Sequence, residues 1–355
     1  MSAWLEAASE ADAVELLHEM GCTDGLPVIV PTEERVERMV LASGLDAALA
    51  LGVMGPGGGQ ASVEKVAVAA VMAGCLPDHM PLVMAAVRAV IQPAFDLTEM
   101  QATTHCTAPL VIVNGPVRSE LNVASGFGAL GPGHRTNASV GRALRLAMMN
   151  IGGARPGESD MALLGHPGKF TYCLAEDEAA SPFPPLHTSL GFEADDSVVT
   201  VIGAEAPHSV LYSPTGDAGD AQRLIDALAV GLANTATNNA LLRNGAAVVI
   251  LNPEHAAVLH AAGMTRADIQ AAIHEACTYD GADLAALGGG FAPQDSARRY
   301  QAFRDANDVL VLVAGGAGLY SMVMPTWCAG PHVNRAVSEP VLLDLYCEVP
   351  GAATI

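Results

Sequence analysis

The stretch Ala108-Pro-Leu-Val-Ile-Val-Asn-Gly-Pro116 decides how the chain folds. A short, continuous, β-branched run stopped by Asn-Gly-Pro reads as a strand buried on both faces, followed by a turn. The pattern returns twice. Ala247-Val-Val-Ile-Leu251 enters Asn252-Pro-Glu254-His255, and Val309-Leu-Val-Leu-Val313 enters Ala314-Gly-Gly-Ala-Gly318. Stretches with helical spacing, such as 138–150 and 220–237, separate these runs, and further strands are expected at 28–30, 197–202 and 209–212. The expected fold class is α/β, a largely parallel or mixed sheet covered by helices, with room for two related lobes. The proline-rich Ser181–Pro185 marks the expected boundary between an N-terminal α/β half, 1–180, with glycine-rich site loops, and a C-terminal α/β half, 181–355.

Composition narrows the function. The 355 residues carry 38 acidic and 17 basic side chains, a formal charge of −21. Such a field repels phosphate backbones and anionic membranes, so neither nucleic acid nor membrane is expected as a partner. Seven cysteines lie scattered without a CxxC pair. This usage points to a reducing compartment, and with no secretory leader or long apolar run in view it predicts a cytoplasmic protein. A small-molecule substrate is the expected partner, and assembly into a homo-oligomer stays open.

Chemistry-bearing residues concentrate between Gln101 and His187. Lys169 stands out because the chain has only two lysines among its 17 basic residues. A lysine kept within Gly165-His-Pro-Gly-Lys169, where arginine serves elsewhere, suggests a task that needs deprotonation, as base or nucleophile. If so, Lys169→Arg should be as damaging as Lys169→Ala. Tyr172 and Glu176 are expected as its acid–base partners. His105 is expected to polarise the substrate or bind metal, and His187 likewise. Together they are the candidate ligands for a divalent transition metal, although no HxH or HxxxH spacing supports it. Asn114, Arg135, Asn137, Arg142 and His255 are the expected substrate-binding residues, because guanidinium and amide groups suit a carboxylate. The Ala314-Gly-Gly-Ala-Gly318 loop lacks the rest of a dinucleotide fingerprint, so NAD is disfavoured. The loops 103–116, 165–187 and 252–255 are expected to converge on one pocket, because ligands in such sheets sit off the carboxyl ends of strands.

Asp24-Gly-Leu-Pro27 through Pro31-Thr-Glu-Glu-Arg-Val36, Leu110 through Pro116, Gly165-His-Pro-Gly-Lys169 and Asn252-Pro-Glu-His-Ala256 together resemble a poorly characterised bacterial family. That family is associated, through shared Asp-Gly-Leu-Pro phrases, with thioredoxin-like proteins bearing a selenocysteine-Gly-Ser-Cys motif. This chain has neither that motif nor a CxxC, so the resemblance implies an α/β bacterial enzyme and no thioredoxin activity.

The sequence thus predicts an enzyme acting on a small, carboxylated molecule by acid–base or nucleophilic bond cleavage, a lyase or hydrolase, with metal assistance an option. A thiol-dependent redox protein using Cys106 or Cys173, and a non-catalytic small-molecule binding protein, are the alternatives.

Overall fold

The computed structural model describes residues 5–342, and Cys347 lies outside them. Eight strands build two mixed four-stranded sheets. They are β1 (Ala108–Asn114), β2 (Cys173–Ala175), β3 (Val198–Ala204), β4 (His208–Leu211), β5 (Ala247–Leu251), β6 (Val309–Val313), β7 (Tyr320–Pro325) and β8 (Val337–Pro340). The first sheet runs β8-β3-β1-β2 and the second β6-β5-β7-β4. In each, one parallel pair (β1 with β2, β5 with β6) is extended on one side by two antiparallel strands.

Strand side chains alternate between two faces, and here each face meets a different layer. Leu110, Ile112, Leu174 and Ile202 of the first sheet pack against Val248, Ile250, Leu310, Leu312 and Met324 of the second. Val111, Val113, Val199 and Val201 turn the other way, onto the helices α1 (Val63–Ala73), α2 (Met80–Ile91) and α3 (Arg135–Asn150). Val249, Leu251, Val309, Val311 and Val323 do the same for α4 (Asp220–Leu232), α5 (Pro253–Ala261) and α6 (Arg266–Ala276). The result is four layers, helix, sheet, sheet, helix. That is why β1, β5 and β6 read as unbroken apolar runs rather than as alternating ones.

The sheets exchange strands. After β3 the chain crosses to the second sheet as β4, and after β7 it crosses back to the first as β8. A boundary at Ser181 therefore does not separate the sheets, since β3 and β8 both complete the sheet begun by β1. The extended segment 28–30, expected as a strand, joins no sheet. It is tied by the Ile29 amide, which donates to Met72 O at 3.2 Å. No single helix among the described residues is long and apolar enough to cross a membrane.

Candidate functional site

The chemistry-bearing residues separate into two groups at opposite ends of β1. Six residue steps at about 3.3 Å place Ala108 and Asn114 roughly 20 Å apart. At the carboxyl end, Asn114 Nδ2 donates to Glu176 Oε2 at 2.6 Å and to Glu178 at 3.1 Å. Glu176 is fully buried and also accepts from Leu186 N at 2.6 Å and from Arg266 at 3.0 Å. Arg266 reaches on to the carbonyls of Val311 and Pro184, so the Glu176–Arg266 pair ties the first sheet to the edge of the second. Both carboxylate oxygens of Glu176 accept hydrogen bonds from within the fold. His187 is also fully buried, and neither of its ring nitrogens has a partner.

At the amino end, the 101–107 and 160–172 segments and Glu205 come together. Antiparallel pairing of Ala108 with Ala204 puts Glu205, just past β3, beside the entry to β1. His105 Nε2 lies 3.0 Å from Glu205 Oε1, both side chains being about one quarter exposed. The contact is one of distance and charge only, since His105 Nδ1 and Glu205 Oε1 are both buried without a hydrogen-bond partner. Cys106 Sγ accepts from the Gly165 amide at 3.1 Å. The His166 ring packs edge-on to Tyr172 and approaches Ala204 O at 3.3 Å. Burial lowers His166, and nearby Lys169 adds to the effect against the Ala204 carbonyl and Glu205. Since His105 and His187 belong to opposite ends of β1, they cannot ligate one ion. Among the described residues no group of three or more His, Cys, Asp or Glu side chains is placed to hold a metal.

Lys169 is not a free amine. Its Nζ donates to both oxygens of Asp160, at 2.6 and 2.8 Å. Asp160, only 4% exposed, accepts in addition from Arg145 Nη2 at 2.9 Å. Burial lowers Lys169, but the Asp160 hydrogen bond and charge oppose it. Burial alone would raise Asp160, yet Lys169 and Arg145 hold its carboxyl below the usual range. The group therefore carries two positive charges against one negative. Tyr172 donates to Glu205 O at 3.0 Å and touches Met324 Sδ, and burial pushes its phenol far up. It stays protonated and is no general base.

The expected substrate-binding residues all make contacts within the framework. Arg142 places Nε and Nη2 on the two oxygens of Asp24, each at 2.8 Å, and reaches Leu26 O and Pro27 O. It thereby pins the Asp24-Gly-Leu-Pro27 turn to α3. Arg135 donates to Gly74 O. Asn137, buried inside α3, binds the Ala124 amide and the carbonyls of Ala124, Ala129 and Cys173. His255 uses one ring nitrogen on Ser321 Oγ at 2.6 Å and the other on Tyr212 O at 3.0 Å. Each group is thus occupied by a fold contact that the primary structure does not announce.

A small cleft lies between α3 and the entry to β1. Gln101, Thr107, Arg145 and Lys169 give it polar walls, and Leu144 and Met148 apolar ones. Gly141 is required here. A Cβ on it would stand 2.5 Å from Thr171 Oγ1 and 2.7 Å from Tyr172 N, so α3 could not approach this loop. Glu205, Gln101, Thr107, Arg145 and Asp160 were not singled out from the sequence. Their proximity depends on strand register and on helix packing, which no local motif encodes.

Of the thiols, Cys173 is buried and pushed up to about 12 by that burial. Cys106 is half-buried, and all cysteines among the described residues are free. Comparison with known proteins gives no match, whether to a family model, a curated protein or a solved structure.

Proposed function

We propose that this protein is an enzyme that acts on a small carboxylated molecule by acid–base bond cleavage, a lyase or hydrolase, at the amino end of β1. The observation that carries the reading is the His105–Glu205 contact of 3.0 Å. A carboxylate in ion-pair contact with an imidazole can orient the ring for proton transfer, a pairing used by general acids and bases. His105 is the acid–base residue, Glu205 orients it, and Cys106 is the neighbouring nucleophile if the reaction passes through a covalent intermediate. Lys169 acts through its charge, because a bidentate ion pair with Asp160 favours the ammonium form. Glu176 and Tyr172 have structural roles.

The test is an NMR screen of small hydroxy-, amino- and keto-carboxylates incubated with the protein. We expect consumption of one class, reduced about 100-fold or more in His105→Ala, the usual scale for a lost acid–base group. Full turnover in His105→Ala would overturn the assignment. Ligand-dependent stabilisation with no consumption would favour the binding-protein reading.

A further inference from the structure

We infer that the cleft formed by Gln101, Thr107, Arg145 and Lys169 is a subsite for a single carboxylate group. The inference deepens the proposed function, on which it rests for calling the bound group part of a substrate. Two observations point to a ligand. Gln101 and Thr107 are each 1% exposed, and Gln101 Nε2 and Thr107 Oγ1 have no hydrogen-bond partner. Buried donors without partners are uncommon in folded proteins and are costly, so two of them lining one cleft call for an acceptor. Charge gives the second indication. Arg145 and Lys169 share a single counter-ion, Asp160, which leaves one positive charge beside those donors.

The ligand chemistry follows. Two free donors and one net positive charge match a monoanion with two acceptor oxygens, which is a carboxylate, better than a phosphate dianion. The cleft takes the head of the molecule and leaves its remainder outside. Thr107 is joined through Cys106 to His105, so a carboxylate seated here would hold the rest of the molecule near the acid–base pair. Gln101 Oε1 accepts from Arg145 Nη1 at 3.1 Å, which orients the amide so that Nε2 is the group left free.

The experiment titrates the full-length protein with acetate, propionate, propionamide and inorganic phosphate, followed by thermal stability and NMR line shifts. Acetate and propionate should bind and raise the melting temperature. Propionamide, the neutral isostere, should bind at least tenfold more weakly. Gln101→Leu and Thr107→Val should each weaken propionate binding about tenfold. Thr107→Val also removes a buried, unpartnered hydroxyl without changing shape, so the ligand-free variant should be at least as stable as wild type. A loss of stability in Thr107→Val with unchanged propionate affinity would show that the hydroxyl serves the fold, and would overturn the subsite. Equal binding of propionamide and propionate would overturn it too, as would phosphate binding in preference to both carboxylates. His105→Ala separates this inference from the reading above. Propionate binding that persists in that variant with no turnover in any form leaves the subsite standing and removes the acid–base assignment. Turnover of a neutral molecule without carboxylate binding does the reverse.

Discussion

Asp160 and Lys169 close a loop on themselves: the lysine Nζ donates to both carboxylate oxygens, at 2.6 and 2.8 Å, across nine residues. Arg145 of α3 binds the same carboxylate at 2.9 Å, so the base of this loop is fastened to the helix layer. The loop carries His166 and donates the Gly165 amide to Cys106. Its position beside the entry to β1 therefore depends on a buried charge group rather than on apolar packing, and its tip residues Leu163 and Leu164 are exposed.

Asp160→Asn should destabilise the protein by about 3–5 kcal/mol, the range for breaking a buried ion pair, because two cations lose their counter-ion. Lys169→Arg should retain most of the carboxylate affinity and turnover, whereas Lys169→Met should lose affinity about tenfold or more. Urea denaturation and propionate titration of the three variants check this. A Lys169→Arg variant as inactive as Lys169→Met would restore the base or nucleophile role expected from the sequence.

Arg142→Ala should cost about 3 kcal/mol, because Asp24, its side chain only 3% exposed, loses a two-pronged partner. Arg142→Lys should recover part of that, since a point charge cannot satisfy both oxygens and two carbonyls together. Neither variant should change propionate affinity. A specific loss of affinity at unchanged stability would return Arg142 to the substrate.

Stability should fall between about pH 6.5 and pH 4 through His79. Burial, helped by the Arg135 charge, lowers this imidazole to about 4, and its Nδ1 accepts from the Leu76 amide at 3.2 Å. An unfolded histidine titrates near ~6.5. In that window the unfolded chain binds a proton that the folded one refuses, so stability decreases as pH falls and the loss is complete below about 4. The size is on the order of 3 kcal/mol. Urea midpoints at pH 7 and pH 4.5 measure it, and His79→Gln should flatten the difference.

Iodoacetamide should label Cys106 and Cys22 in the native protein and leave Cys75, Cys173 and Cys277 untouched. Those three are buried, and burial pushes each thiol up to about 12. Rapid labelling of Cys173 without denaturant would support a redox pair with Cys106.

The primary structure by itself determined the α/β class. The runs Leu110–Val113, Ala247–Leu251 and Val309–Val313 are apolar at every step, and only a strand covered on both faces can use such a run. It also gathered the candidate residues His105, Lys169, Tyr172, Glu176 and His187 into one stretch between Gln101 and His187. Tertiary structure decided the rest. Strand direction and register put Glu205 beside His105, and the length of β1 carried Asn114, Glu176 and His187 away from them. Helix packing assigned Arg142 to Asp24 and Arg145 to Asp160. A guanidinium or carboxylate reads the same in the chain whether it will meet a substrate or a buried counter-ion. Partner choice for charged groups is settled by long-range geometry, since burying either one alone costs too much.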